Sequence, residues 1–171
     1  MPPEAVLVLG SNIAPQRHLP AALGEVLRWG RVAAVSMVYE TPPAGGAVGP
    51  AFLNAALRLT TRHTPDALRT AARDLEARLG RVRTGDPNAA RPMDVDVLLY
   101  RPEPTAPVQV VNPREWRYAH AVLPAAEVAP AWRIEGRTLA WWAGQHAAAA
   151  RAFHPRAEVW AALMARLLSH P

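Results

Sequence analysis

The 171-residue chain contains no cysteine and no lysine. Without cysteine there are no disulfides and no thiolate metal sites. Without lysine, all nineteen basic side chains are arginine. Arginine favours bidentate contacts to phosphate and carboxylate, although the abundance of Ala, Arg, Pro and Gly also fits a simple compositional bias. No cationic stretch followed by an apolar run opens the chain, so no signal peptide is expected. No apolar run reaches membrane-spanning length, and the expectation is a cytoplasmic protein without a membrane partner. The G-x-x-x-x-G-K-[ST] phosphate loop is missing, as is any set resembling a catalytic nucleophile with its base. The six histidines are scattered without metal-ligand spacing, and most of them read as surface residues. The formal net charge of +5 permits nucleic acid and equally permits a polyanionic small molecule. Half the residues are hydrophobic, enough for one globular domain spanning 1–171 with a sizeable core.

Apolar patterning gives the order of elements. "EAVLVLG" (4–10) is a short apolar run ended by glycine and reads as a buried strand. Leu19, Ala22, Leu23, Val26 and Leu27 have helical spacing, with Gly30 placed to stop the helix. "VAAVSMVYET" (32–41) reads as a strand and "PPAGGAVGP" (42–50) as a loop. "AFLNAALRLTT" (51–61) alternates, with Leu53, Ala55, Leu57 and Leu59 on one face and Phe52, Asn54, Ala56 and Arg58 on the other. Thr64-Pro65 is a helix start. Leu68, Ala72, Leu75 and Leu79 carry that helix to Gly80. "RVRTGDPNAAR" (81–91) is a loop bounded by arginines, and a strand follows. The order β-α-β-β-α-β is that of an α+β, ferredoxin-like fold. Additional C-terminal helices are expected over about 138–169, the last with Pro155 in its first turn. The apolar face of that last helix is expected to pack on its own domain.

"RPMDVDVLLY" (91–100) places two aspartates inside a strand. Period two puts Asp94 and Asp96 on one face with Leu98 and Tyr100, roughly 7 Å apart at Cα, and Met93, Val95, Val97 and Leu99 on the other. By itself the pair reads as a solvated strand face with Arg91 or Arg83 as counter-ion. The functional reading is Mg²⁺, which takes one or two carboxylates and completes its shell with water and substrate phosphates. "LGSN" (9–12) alone reads as a turn, with Ser11 or Asn12 bonding nearby backbone.

"LGSN", "YETPPAG…FLNAAL", "LEARLGRVR", "RPMDVDVLLY" and "VLPAAEVAP", in this order and spacing, resemble the 6-hydroxymethyl-7,8-dihydropterin pyrophosphokinase family over about Val6 to Pro130. The resemblance implies a ferredoxin-like α/β fold and transfer of a pyrophosphoryl group from ATP to the pterin hydroxymethyl, with release of AMP, in folate biosynthesis. It implies that Asp94 and Asp96 hold two Mg²⁺ ions on the ATP phosphates. It implies that Arg81 and Arg91 belong to a loop that closes over ATP, with Glu76 and Arg83 near the nucleotide. Thr41, Pro42, Ala44, Phe52 and Asn54 match pterin-pocket positions. Four positions depart from the pattern. Asn112 stands where a phosphate-contacting histidine is expected. Tyr118 stands where an arginine is expected, and Arg117 could substitute by a one-residue slip. His120 replaces the second stacking aromatic, and Asn88 replaces a loop tryptophan.

The implied partners are therefore ATP and the reduced hydroxymethylpterin, with no nucleic acid, and the chain is expected to be a monomer. One alternative is a diverged paralogue that binds pterin or nucleotide with weak or no transfer. Another is an RNA-binding ferredoxin-like domain, which would need aromatics in a fixed motif on the sheet. That motif is missing, and two aspartates would repel phosphate.

Overall fold

The computed structural model describes residues 1–43, 48–86 and 89–170. Strand β1 (Glu4–Ser11) lies at the centre of the main sheet, and its near-continuous apolar run explains why: Ala5 to Leu9 are buried, pointing alternately to the two faces. Helix α1 (Pro15–Val26), β2 (Gly30–Val35), β3 (Tyr39–Thr41), β4 (Phe52–Thr61), α2 (Pro65–Arg78) and β5 (Asp94–Arg101) follow. β1 pairs antiparallel with β4 on one side and β5 on the other, while β2 and β3 both pair with β4. This is the expected α+β, ferredoxin-like arrangement. β6 (Gln109–Val110) extends the sheet beyond β5, and β9 (His154–Pro155) extends it beyond β3.

The strand read over 32–41 is broken into β2 and β3. Ser36 fills the break: its N–H donates to the Ala56 carbonyl at 2.9 Å, and its hydroxyl accepts from the Ala56 N–H at 2.8 Å. Gly30 does not stop α1, which ends at Val26; it opens β2, where a Cβ would lie 2.2 Å from the Thr60 carbonyl oxygen. The start and end of α2 are as expected. The Thr64 hydroxyl accepts from the Ala67 N–H at 3.2 Å. Past the other end, Gly80 takes φ +92°. The Gly80 N–H then reaches the Ala77 carbonyl and the Arg81 N–H the Glu76 carbonyl, at 3.1 and 3.0 Å, closing a Schellman motif.

Each face of the sheet carries a core. Leu7, Leu9, Leu53, Leu57, Leu59, Val95 and Val97 pack under α1 and α2. Val6, Val8, Ala56 and Leu99 pack on the opposite face against α3 (Ala119–Val128) and Trp116. The face assignment of Leu99 and Tyr100 is reversed from strict alternation. A β-bulge pairs Val6 with Leu99 and Leu7 with Val97, which leaves Leu98 as the extra residue. Helix α3 was not expected from the sequence, where Pro124 interrupts its pattern.

The small hairpin β7 (Arg133–Ile134) and β8 (Arg137–Thr138) precedes α4 (Leu139–Gly144) and α5 (Ala147–Ala150). The last helix, α6 (Ala157–Leu168), packs on α1, and Val159 and Leu163 join the first core. Pro155 is not in that helix. It lies in β9 on the sheet's outer edge, where its missing N–H removes no ladder bond from a central strand.

Leu163 is fully buried, so Leu163→Ala should lower unfolding free energy by about 2–5 kcal/mol. Urea denaturation measures this, and a loss below about 1 kcal/mol would contradict the packing of α6 described above.

Candidate active site

Helix α3 covers only part of the second sheet face. Beyond its N-terminal end, Val8, Gly10, Phe52, Asn54, Asp94 and Asp96 form the floor of a cavity of about 600 Å³. A second cavity of about 420 Å³ opens between α2 and the 111–115 segment, lined by Arg69, Arg73, Val97 and Asn112 among others. The two share Arg81, Arg83, Arg91, Asp94, Asp96, Arg114 and Glu115. The aspartate pair therefore lies at a junction, on the face that the alternation predicts.

Glu76 organises one wall of that junction. It is 3% exposed. Its Oε1 accepts from the Val95 N–H at 2.8 Å and lies 2.9 Å from the Arg81 guanidinium, while Oε2 accepts from Arg83 at 2.6 Å. Burial raises its carboxyl above the usual glutamate range, against the opposing pull of the Val95 N–H, Arg81 and Arg83; the nearby Asp94 charge adds to the rise. Arg81 also donates to Asp94 Oδ1 at 2.8 Å, and Arg91 donates to Oδ2 at 3.3 Å. The two ends of the 81–91 loop thus meet on one carboxylate. Arg81 is held by the end of α2 as well as by these ion pairs.

Asp96 has a different environment. Among the described residues its side-chain partner is the Asn112 amide, which donates to Oδ1 at 3.2 Å. Burial, followed by the charges of Asp94, Glu115 and Glu76, raises its carboxyl well above the usual aspartate range, only partly offset by Arg81.

The first cavity gathers the residues matched to a pterin pocket. Asn54 is buried and donates to the Thr41 hydroxyl at 2.7 Å. Gly10 makes room for it, since a Cβ there would stand 2.6 Å from Asn54 Oδ1. Phe52, Pro42 and His120 line the same space, and Arg91 sits 5.8 Å from the Phe52 ring centroid. Tyr118 stacks on His120 with centroids 5.4 Å apart at 15°, and His120 Nε2 lies 3.2 Å from Glu115 Oε2. Strand β3 is fixed from behind by Glu127 of α3, which accepts from the Tyr39 hydroxyl and from the Met37 N–H at 2.9 Å. Ala44 and Asn88 lie outside the described residues.

The nucleotide side differs most from expectation. Arg117 lines neither cavity: it pairs with Glu135 at 2.6 Å and lies over the Trp116 and Trp142 rings at 4.6 and 5.4 Å. The one-residue slip therefore does not bring it to the cleft. Asn112 is there, but its amide holds Asp96 and its Oδ1 accepts from the Glu115 N–H at 3.1 Å. Arg114, which no sequence signal singled out, lines both cavities. Asn12 was read only as a turn residue. It ties β1 to the loop, accepting from the Arg91 N–H at 2.7 Å and donating its own N–H to the Arg91 carbonyl at 3.2 Å. Ser11 makes the expected local bond, to the Ile13 carbonyl at 3.1 Å.

The donor set suits a hard divalent cation. Among the described residues no three His, Asp or Glu side chains converge on a metal site. The protein therefore offers two carboxylates, the number that Mg²⁺ commonly takes when substrate phosphates and water supply the rest. The unneutralised acidic charge around Asp96 is the feature that a cation would relieve.

Two adjoining cavities thus share a carboxylate pair and a group of arginines. Comparison with known proteins gives the family. The family model for 7,8-dihydro-6-hydroxymethylpterin-pyrophosphokinase (HPPK) matches residues 6–130. The 2-amino-4-hydroxy-6-hydroxymethyldihydropteridine pyrophosphokinase of Methylorubrum extorquens is 37% identical over 141 residues, which is 80% of this chain and 89% of the relative. Those of Porphyromonas gingivalis and Pseudomonas aeruginosa are 33% and 35% identical, over 72% and 78% of this chain and 89% and 85% of theirs. A Plasmodium falciparum HPPK-DHPS crystal structure superposes with a TM-score of 0.69 over 91% of this chain, at 11% identity, and this chain covers 47% of that one. The chain belongs to the 7,8-dihydro-6-hydroxymethylpterin-pyrophosphokinase family.

The contrast between the two aspartates predicts their effects on stability. Asp94 is held by two arginines, whereas Asp96 faces mainly like charge. Because the native state raises the Asp96 pKa, it binds more protons than the unfolded chain between the ordinary aspartate value and the raised one. Stability in chelated buffer therefore falls as pH rises through that window. Asp96→Asn should flatten this slope and raise the melting temperature at neutral pH by about 3 °C or more. A variant that melts at or below the wild type with an unchanged pH slope would contradict the assignment.

Proposed function

We propose that the chain transfers the β,γ-pyrophosphoryl group of ATP to the hydroxymethyl oxygen of 6-hydroxymethyl-7,8-dihydropterin in folate biosynthesis. The observation that carries this reading is the meeting of the two cavities at Asp94 and Asp96. The pterin ring occupies the larger cavity. Phe52 and His120 stack on it, and Asn54, oriented by Thr41, bonds its polar edge as both donor and acceptor. Pro42 lines the same pocket. ATP occupies the other cavity, with its phosphates at the junction.

Asp94 and Asp96 would hold two Mg²⁺ ions, which neutralise phosphate charge and fix the β-phosphorus relative to the incoming hydroxyl. The pterin oxygen then forms a bond to the β-phosphorus, the bond from that phosphorus to the α-bridging oxygen breaks, AMP leaves and the hydroxyl proton passes to water. Transfer is direct, so no side-chain nucleophile is required. Arg81, Arg83 and Arg91 face the developing charge at the junction, and Glu76 keeps Arg81 and Arg83 pointed there.

The working unit is the whole chain, 1–171, acting as a cytoplasmic monomer with these two substrates and neither nucleic acid nor membrane as partner. Among the described residues no helix is long and apolar enough to cross a membrane. A second reading, a paralogue that binds but transfers weakly, draws on Asn112 and Arg117. Both are engaged with other protein groups, so phosphate contacts expected of that segment are missing from them.

Release of AMP from ATP and the reduced pterin separates the two readings, and the wild type should turn over. Asp94→Ala should lower AMP release by at least about 100-fold. Arg91→Ala should slow the single-turnover rate by about 10- to 100-fold while leaving equilibrium pterin affinity nearly unchanged. Near-normal AMP release from Asp94→Ala would defeat the metal assignment. Loss of pterin affinity at an unchanged single-turnover rate would defeat the role of Arg91.

A further inference from the structure

We propose that Arg114 is the residue that contacts the β- and γ-phosphates of ATP, supplying the guanidinium that Arg117 does not bring to the cleft. The inference rests on the pyrophosphokinase reading and assigns a specific residue within it. Four arginines line the junction shared by the two cavities. Arg81 is bound to Glu76 and Asp94, Arg83 to Glu76 and Arg91 to Asp94. Among the described residues Arg114 has no carboxylate or hydrogen-bond partner. Its charge is the one at the junction not already matched by protein.

Its neighbours keep it so. Glu115, the nearest acid in the chain, turns to His120 at 3.2 Å. The short turn that carries Arg114 is held at both ends. Asn112 bonds Asp96 on one side and the Glu115 N–H on the other, and the Trp116 N–H reaches the Asn112 carbonyl at 3.2 Å. Trp116 itself is buried in the second core. An exposed arginine on a fixed backbone, two residues from the Asn112 strut that touches Asp96, is placed to meet an anion beside that aspartate. A triphosphate brings several negative charges to this point, and guanidinium–phosphate pairs are strong and bidentate. Because Arg114 lies at the junction rather than deep in the nucleotide cavity, it contacts the phosphates nearest the transferred group.

The test is titration of ATP and AMP, each with Mg²⁺, and of the pterin, into wild type, Arg114→Ala and Arg114→Lys, with AMP release measured in parallel. Among the described residues Arg114 has no protein partner, so its replacement should leave the melting temperature unchanged. Arg114→Ala should weaken ATP about 10- to 100-fold but AMP less than about threefold, with pterin affinity unchanged. Arg114→Lys should fall between, since lysine keeps the charge and loses the fork. ATP affinity within threefold of wild type, or equal losses for ATP and AMP, overturns the assignment. A wild type that binds ATP but forms no AMP refutes the pyrophosphokinase reading and leaves the phosphate contact to be decided by the titrations. A wild type that binds no ATP overturns both.

Discussion

Glu76 is a carboxylate at 3% exposure that joins three successive segments of the chain. It sits near the end of α2, accepts from the backbone at the start of β5, and holds Arg81 and Arg83 in the loop between them. A buried carboxylate must be paired and fully hydrogen-bonded or lose its charge. That requirement makes the end of α2, the arginine loop and the aspartate strand a single unit. Gly80 makes it possible, because its positive φ turns the chain back so that Arg81 returns over Glu76.

The charges around the junction are arranged for exchange. Both oxygens of Asp94 are taken by arginines, while among the described residues Asp96 has the Asn112 amide as its side-chain partner and is surrounded by like charge. On the proposed reading, a metal-bound triphosphate would supply what both halves lack: cations for the aspartates and many oxygens for the guanidiniums. Each protein ion pair at the site is thus a placeholder that positions a side chain at modest net benefit, since a buried pair's attraction is largely offset by desolvation. The pterin side follows a different rule. Thr41 fixes Asn54, Gly10 leaves it room, and Glu127 anchors the strand that carries Thr41, so that the pocket is largely formed before any ligand arrives.

Much of this was legible in the residues. Period two put Asp94, Asp96, Phe52 and Asn54 on one face, and the helix signals at Thr64-Pro65 and Gly80 held. Alternation failed where a bulge at Leu98 exchanged the faces of Leu99 and Tyr100, because pairing against β1 outweighed the local pattern. The strand over 32–41 broke at Ser36, whose hydroxyl stands in for the ladder, and α3 was hidden by Pro124. Periodicity could not see a contact such as Glu76 to Val95, nineteen residues apart in sequence; the motif resemblance placed Glu76 near the nucleotide without giving that contact. Arg117 and Arg114 show the limit of both. They are three residues apart in an arginine-rich chain, and only the Trp116, Trp142 and Glu135 contacts decide which one turns away.

The central claim is that the pterin hydroxyl meets the β-phosphorus of ATP where the two cavities join. Phosphorus-31 NMR of the wild-type reaction with ATP, Mg²⁺ and the reduced pterin tests it directly. The account predicts AMP together with a diphosphate ester whose inner phosphorus is attached to the pterin carbinol oxygen. Formation of ADP and a pterin monophosphate would place the attack at the γ-phosphorus and contradict it.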